Sequence, residues 1–121
     1  MPNFTELKGI EILKNKLKEK GRMVKKSDNK TFDLIVDGKY AEVKTKSCSY
    51  NKLDFLPFTD KQYKQIREGN FFIFLVCNIK DPDNAEIYEF NSELLKNIEP
   101  KKYTSHEYNK SIIDSLNISK I

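Results

Sequence analysis

The dipeptide Asp37-Gly38 constrains the fold of this chain more than any other feature, because it separates two runs of residues that favour β-strands. The two runs cover residues 31–36 and 39–44. Both positions of a two-residue hairpin turn need a positive φ, which Asp and Gly tolerate. A turn of this length places Asp33 directly opposite Glu42. The sequence therefore predicts a β-hairpin with two carboxylates facing each other across its strands.

Alternation of side chains along the strands gives this hairpin two different faces. One face should rest on a core and comprises Phe32, Leu34, Val36, Ala41 and Val43. The other face comprises Asp33, Glu42 and Lys44, with Ile35 and Tyr40 beside them. We expect the charged residues to form a cluster at the edge of a buried surface.

The opposed carboxylates suggest a cation site. Like charges that face each other, with Cβ atoms roughly 5 Å apart, destabilise a strand pair. Carboxylate oxygens are ligands that Mg²⁺ and Mn²⁺ prefer, so we predict that Asp33 and Glu42 bind one of these ions. Lys44 could hold or deprotonate an attacking water, or stabilise charge that grows on a phosphate. The alternative is an exposed hairpin with scattered charges, since 33% of the residues are charged.

Asp33 followed by Glu42-Val43-Lys44 resembles the motif of the PD-(D/E)xK nuclease superfamily, although Phe32 stands where the motif has proline. The resemblance implies an α/β protein with a restriction-endonuclease-like core. In that core a mixed central β-sheet is flanked by helices in the order α-β-β-β-α-β-β. Residues 1–121 would form one domain, with 101–121 as a C-terminal extension.

Two groups within the superfamily look most similar, namely the small Holliday-junction resolvases and nuclease domains associated with helicases or restriction systems. The second group often has Glu-Val-Lys-Thr, as in 42–45, and a later aromatic-Leu-x-x-Thr, as in 55–59. The resemblance implies a Mg²⁺-dependent endonuclease that acts on DNA rather than RNA, as a homodimer. It assigns metal binding to Asp33, Glu42 and Val43 and catalysis to Lys44. The alternative is a non-catalytic DNA- or protein-binding module on the same fold.

The superfamily often adds an acidic residue from the preceding helix. Leu7, Ile10, Leu13 and Leu17 have helical spacing, which predicts a helix over 5–20 with Thr5 as its N-cap and Gly21 at its end. Glu6 and Glu11 both flank the apolar stripe. We favour Glu11 as the third acidic residue, with Glu6 as the other candidate and a solvated glutamate as the alternative.

A second set of residues is expected to contact substrate. Three of them precede Asp33 and could hold flanking phosphates, although a charged loop is an equal explanation. The full set is Lys25, Lys26, Lys30, Lys46 and Gln62. Gln62 also completes a capping box with Thr59, which by itself can explain its presence.

The remaining chain predicts further elements around the hairpin. We expect a strand at 23–26, a loop at 46–54, a helix from Thr59 to Gly69, a buried strand at 71–79 and a paired strand at 85–90. A short helix should follow, reaching residue 98. In the polar tail, the apolar residues between Ile112 and Ile118 could form a docked helix or an oligomer contact.

Composition bounds the classes that remain. At 121 residues the chain suffices for one domain, and no apolar run reaches the roughly 18 residues that span a bilayer. We find no signal peptide, and two cysteines without zinc spacing indicate a reducing compartment, which predicts a cytoplasmic protein with no membrane partner. The net charge of +4 permits nucleic-acid binding without requiring it.

Overall fold

A computed structural model of the chain describes residues 3–102 and 105–121. The helices in these ranges are α1 (Phe4–Glu19), α2 (Asp60–Glu68) and α3 (Lys110–Ser115). The strands are β1 (Val24–Lys26), β2 (Leu34–Val36), β3 (Lys39–Thr45), β4 (Phe55–Phe58), β5 (Phe72–Cys77), β6 (Glu86–Asn91), β7 (Lys101–Lys102), β8 (His106–Asn109) and β9 (Ser119–Lys120). The expected α/β class, with a mixed sheet flanked by helices, is confirmed.

Six strands form the central sheet in the order β1-β2-β3-β5-β6-β9. β3 and β5 are parallel, and the other neighbours are antiparallel. The predicted hairpin is present, with Val36 opposite Lys39 and Leu34 opposite Ala41. Both turn residues have positive φ, 50° at Asp37 and 83° at Gly38, as a two-residue hairpin turn requires.

Helix α1 covers one face of the central sheet. Its Leu13 and Leu17 are fully buried against side chains of β2, β3 and β5. Gly9 brings the helix close to β3, because a Cβ at this position would lie 2.2 Å from Oγ1 of Thr45. The lack of a side chain at residue 9 thus sets the distance between the helix and the strand that carries Glu42.

The opposite face of the sheet is covered by α2, α3 and a smaller sheet with the strand order β4-β8-β7. The core on this side is rich in aromatic residues. Its fully buried members include Tyr108, Phe58, Phe71, Ile73 and Leu75. The central sheet is therefore buried on both faces, which explains the almost continuous apolar sequence of β5.

The N-terminal helix begins earlier than its sequence pattern indicates. Asn3, not Thr5, is the N-cap, and it forms a capping box with Glu6. The predicted end at Gly21 is confirmed by its φ of +75°, which glycine adopts without strain. No helix within 3–102 and 105–121 has the length and apolar composition needed to cross a membrane.

The structure corrects the expected face of Phe32. This side chain packs with Phe71 and Tyr40 on the side of α2, whereas Leu34 packs on the side of α1. The alternation fails because the chain bends at Asp33, just before β2 begins. The N–H of Asp33 donates to the carbonyl of Ala41, although Ala41 is already the strand partner of Leu34. Asp33 and Leu34 therefore share one partner residue in β3.

The expected order of elements lacked four of the nine strands in the described ranges, namely β4, β7, β8 and β9. The expected loop after β3 also contains a single helical turn at Tyr50–Lys52. The short helix expected to reach residue 98 is a single turn at Ser92–Leu95. Pairing of β4 with β8, which lies about 50 residues further along the chain, gives no local signal in the sequence.

The tail is an integral part of the fold. β8 pairs with β4, and β9 pairs with β6 at the edge of the central sheet. Tyr108 and Ile113 are fully buried, while Ile112, Leu116 and Ile118 pack against the same core. Of the two roles considered for this apolar cluster, the structure shows the docked helix rather than an exposed oligomer contact.

Candidate functional site

A polar cavity of about 460 Å³ lies beside β3, between the N-terminal turns of α1 and α2. The residues that line it are Glu6, Lys30, Thr31, Asp33, Glu42, Val43, Lys44, Thr45, Lys46, Pro57, Thr59 and Gln62. Its walls come from three parts of the sequence: the first turn of α1, the hairpin, and the segment that joins β4 to α2. This cavity is the candidate active site.

The bend at Asp33 directs its carboxylate toward β3. Asp33 Oδ2 accepts a hydrogen bond of 2.9 Å from the backbone N–H of Val43. This contact fixes the aspartate beside Glu42, and the two carboxyl groups are close enough to share a hydrogen bond. The predicted juxtaposition of Asp33 and Glu42 is therefore present, although Asp33 lies just outside the regular strand pairing.

Glu42 is the buried member of this pair. Only 5% of its surface is exposed, which is unusual for a glutamate. Burial, followed by the neighbouring Asp33 carboxyl, raises the pKa of Glu42 to about 8, and the charge of Lys44 opposes this rise. A hydrogen bond between two carboxyl groups requires that one of them be protonated, and the raised pKa means that Glu42 holds this proton more tightly than an exposed glutamate would.

Lys44 is a largely buried cation beside this pair. Its Nζ lies 3.2 Å from Glu42 Oε2 and donates a hydrogen bond of 3.1 Å to Gln62 Oε1. The same ammonium lies 4.5 Å from the ring centroid of Phe58. The lysine is therefore restrained on three sides and faces the cavity with a fixed charge.

Gln62 joins the hairpin to α2. Its Oε1 accepts from the Thr59 N–H at 3.1 Å, which is part of the predicted capping box. Its Nε2 donates to Glu42 Oε2 and, at 3.3 Å, to the carbonyl of Thr31. The capping role is thus confirmed, and the same amide also orients Glu42 and Lys44 from the opposite wall.

The structure brings together most of the residues that the sequence singled out, but not all of them. Those that line the cavity are Asp33, Glu42, Val43, Lys44, Lys30, Lys46 and Gln62. Those that do not are Glu11, Lys25 and Lys26. The two lysines lie on the edge strand β1, so they are not neighbours of the carboxylate pair.

The two glutamates of α1 have different surroundings. Both are exposed, but Glu6 lines the cavity, whereas Glu11 lies on another side of the helix, next to Leu7 and Lys14. Glu6 falls in line with the buried residues Leu13 and Leu17, which explains why it reaches the sheet side. The structure therefore brings Glu6 to the site, where the sequence favoured Glu11.

Four residues of the cavity were not predicted as site residues, among them Thr59, which was expected only as a helix cap. Pro57 contributes to the wall because β4 precedes α2, and Thr31 supplies its carbonyl to Gln62. Thr45 packs on Gly9, and its hydroxyl is buried with no hydrogen-bond partner in the described part of the chain. Of the three residues other than Thr59, only Thr45 could have been identified from the sequence, because it follows Lys44 in the motif.

The donor set fits a hard divalent cation held by few protein ligands. Two neighbouring carboxyl groups offer oxygen ligands, and Mg²⁺ is often bound by one or two carboxylates together with several waters. In residues 3–102 and 105–121, no cluster of three or more acidic, histidine or cysteine side chains is close enough to hold a metal. Asp33 and Glu42 are the paired carboxyl groups of the cavity that could hold such an ion, and Glu6 is a further acidic side chain in its lining.

Comparison of the chain with protein-family models, with curated proteins and with solved structures finds no match.

Proposed function

We propose that this protein is a divalent-metal-dependent nuclease that hydrolyses phosphodiester bonds of DNA. One observation carries the proposal: Asp33, Glu42 and Lys44 lie together on the wall of one polar cavity. Adjacent carboxylates with a neighbouring lysine are suited to phosphoryl chemistry, and a purely structural hairpin has no need to bury Glu42. The resemblance to the PD-(D/E)xK motif supports the same activity.

In this proposal Asp33 and Glu42 hold Mg²⁺ or Mn²⁺, with Val43 as the adjoining backbone position. The bound ion supplies Lewis-acid polarisation of the phosphate and lowers the pKa of a nucleophilic water. Asp33 is kept in place by the Val43 N–H, and Glu42 by the amide of Gln62. These contacts limit the reorganisation that the carboxylates need when the ion binds.

Lys44 provides the positive charge that faces the scissile phosphate. Its ammonium is fixed by Glu42, Gln62 and the ring of Phe58, so it loses little freedom in reaching a transition state. Gln62 is a positioning residue in this scheme, because it touches both charged groups.

The basic side chains at the cavity support an anionic substrate. Lys30 and Lys46 line the cavity together with Lys44, and the whole chain has a net charge of +4. Phosphate groups on either side of the cleaved bond would contact Lys30 and Lys46. We further propose that DNA is the substrate, that the protein works as a homodimer, and that it acts in the cytoplasm.

A non-catalytic DNA- or protein-binding module is the second candidate. It is favoured by the pairing of Glu42 with Lys44 and Gln62, since these two groups already compensate part of the buried charge without a metal. A fold of this kind does not by itself fix the activity. In this alternative the lysines at the cavity would bind phosphates that are never hydrolysed.

Cleavage assays separate the two candidates. Purified protein is incubated with linear duplex, single-stranded, flap and four-way-junction DNA, with Mg²⁺, with Mn²⁺ and with EDTA. We expect metal-dependent cleavage of at least one substrate, and its loss in Asp33→Asn and Glu42→Gln. Tight DNA binding without cleavage under any of these conditions would favour the binding module. Light scattering of the same samples tests the dimer, which has twice the chain mass.

The glutamates of α1 provide a matched pair of variants. Glu6→Gln removes one charge from the cavity and keeps an acceptor for the Asn3 N–H, whereas Glu11→Gln removes one charge from the exposed side of the same helix. We expect Glu6→Gln to lower cleavage at limiting Mg²⁺ and Glu11→Gln to leave it unchanged. The reverse order would restore Glu11 as the third acidic residue.

A further inference from the structure

The edge of the central sheet at β1 forms a second surface, which shares no lining residue with the first cavity and is not used by the proposed reaction. β1 is the outermost of six strands, and β2 is its only strand partner within residues 3–102 and 105–121. Met23, just before β1, is 65% exposed. A shallow cavity of about 420 Å³ adjoins it and is lined by Met23, Lys25, Ile35, Asp37 and Gly38.

The backbone of β1 offers hydrogen-bonding groups on its outer side. The carbonyl of Met23 accepts from the Asp37 N–H at 2.8 Å, so Met23 is turned toward the hairpin. Backbone groups alternate in direction along a strand, which turns those of Lys25 inward and those of Val24 and Lys26 outward. Val24 and Lys26 can therefore pair with an added strand.

The charge on this edge is positive. Lys25 and Lys26 form no salt bridge with any residue in the described ranges. The one acid that lines the cavity, Asp37, is compensated, since it binds Arg22 at 2.8 Å and accepts from the Met23 N–H at 2.9 Å. An approaching strand thus meets two ammonium groups without a salt bridge, Lys25 on the face of the apolar depression and Lys26 on the opposite face.

A second copy of the chain fits this edge poorly in the register that uses all of the outward backbone groups. If two β1 strands paired about a twofold axis through their outward groups, Val24 would face Lys26 of the other copy. Lys25 would then lie directly opposite the same lysine of the other copy, and like charges in that position are destabilising. Lysines on an open edge generally discourage pairing between copies. An acidic strand would instead gain from the same charges.

We propose that the β1 edge is a docking site for an extended acidic peptide segment of a partner protein, which adds a strand to the central sheet. Its backbone pairs with Val24 and Lys26, an apolar side chain enters the depression beside Met23 and Ile35, and its carboxylates contact Lys25 and Lys26. Main-chain hydrogen bonds supply affinity in such complexes, and the alternating side chains supply specificity.

The probe is the blocked seven-residue peptide Glu-Glu-Val-Val-Glu-Glu-Val, which presents both residue types on each face of a strand, and its control has Lys in place of every Glu. Binding is followed by NMR through the methyl signal of Met23, which is one of two methionines in the chain. We expect the Glu peptide to shift this signal and to bind at least tenfold more tightly than the Lys peptide. Equal binding of the two peptides, or no shift of Met23, overturns the proposal.

Variants assign the site. The double variant Lys25→Glu/Lys26→Glu should weaken binding at least tenfold. Lys101→Glu makes the same kind of charge change on β7, at the edge of the smaller sheet, and should have no effect. Val24→Pro removes an outward N–H and should also weaken binding, with folding checked by circular dichroism. Unchanged affinity in the double variant contradicts the proposal.

Two other occupants are tested in the same experiments. Self-association that depends on concentration and is lost in the double variant would identify a second copy of the chain, and not a peptide, as the occupant of this edge. A single-stranded oligonucleotide that shifts Met23 at lower concentration than the Glu peptide would replace it by nucleic acid. Either result overturns the assignment to an acidic peptide.

Discussion

Single residues at the cavity are coupled through the buried carboxyl of Glu42. Three groups compete for it: the carboxyl of Asp33, the ammonium of Lys44 and the amide of Gln62. Desolvation favours the neutral form of Glu42, while Lys44 favours the ionised form. Protonation of one residue therefore affects both folding and any cation bound beside it.

The first prediction concerns Lys44→Ala. Loss of a fixed charge that acts on the transition state typically costs about 3 kcal/mol, so we expect cleavage to fall a hundredfold or more. Affinity for uncut DNA should change much less, because only one of several phosphate contacts is lost. Cleavage rates at saturating Mg²⁺ and affinities at fixed salt are measured together, with Lys52→Ala, outside the cavity, as the control. A variant that cuts as fast as the wild type would remove Lys44 from the catalytic role.

The second prediction concerns stability and pH without metal. The pKa of Glu42 is raised to about 8 in the folded protein, above the ordinary value of 4.5 that we take for the unfolded chain. The folded state therefore binds the proton more tightly, and this contribution to stability is complete below pH 4.5 and is lost as pH rises to about 8. The free energy of unfolding should fall by at most about 1.4 kcal/mol per pH unit in this window.

Thermal unfolding at a series of pH values in EDTA measures this dependence. Glu42→Gln cannot titrate, so its stability should vary less over the same window. Mg²⁺ should raise the melting temperature of the wild type more at pH 8 than at pH 5, because protons and the cation compete for Glu42. The same pH dependence in wild type and Glu42→Gln would show that other groups control it.

At the scale of secondary-structure elements, the site depends on how closely α1 approaches β3. Gly9 allows this approach, and the helix carries Glu6 into the cavity one turn before it. Thr45, the contact partner of Gly9, follows Lys44 on β3. A change in this spacing would therefore move an acidic side chain relative to the carboxylate pair.

The third prediction is that Gly9→Ala destabilises the protein by about 1–3 kcal/mol, the usual cost of overpacking. A Cβ at this position would come within 2.9 Å of three side-chain atoms of Thr45. Gly69→Ala is the control, because a Cβ there meets only ordinary contacts at 3.7 Å and the φ is negative. Chemical denaturation of both variants measures the difference, and equal stabilities would argue against a tight contact between α1 and β3.

Comparison of sequence and structure shows which elements a local pattern can reveal. The hairpin, β5 and the capped helix α2 were predictable, because their signals lie in adjacent residues such as Asp37-Gly38 and the Thr59–Gln62 box. β4 was not, since it pairs with a strand about 50 residues away. The choice of Glu6 over Glu11 also depends on how α1 packs on the sheet, which helical periodicity alone leaves open.

At the scale of the whole molecule, the chain forms two layers of core on either side of the central sheet. The C-terminal segment contributes to both sheets, through β8 in the smaller one and β9 in the central one. Tyr108 and Ile113 from this segment are fully buried. The segment should therefore behave as part of one cooperative unit rather than as an appendage.

The fourth prediction is that a chain ending at residue 100 does not fold cooperatively. Truncation removes the partner strand of β4 and exposes the aromatic core next to α2. Circular dichroism and denaturant titration of the truncated protein should show no cooperative transition, while a chain ending at residue 118 should keep one. Cooperative unfolding of the protein of 100 residues would contradict this prediction and would support residues 101–121 as a C-terminal extension.

The carboxylate pair is the basis of the proposed activity, so the most direct test is whether it binds a divalent cation. Crystals of the protein grown or soaked with Mn²⁺ give an anomalous signal that locates the ion independently of any activity assay. We predict one strong peak between the side chains of Asp33 and Glu42, absent in the Asp33→Asn variant. No peak at this position at millimolar Mn²⁺, with the two side chains arranged as described, would contradict the proposal of a metal-dependent nuclease.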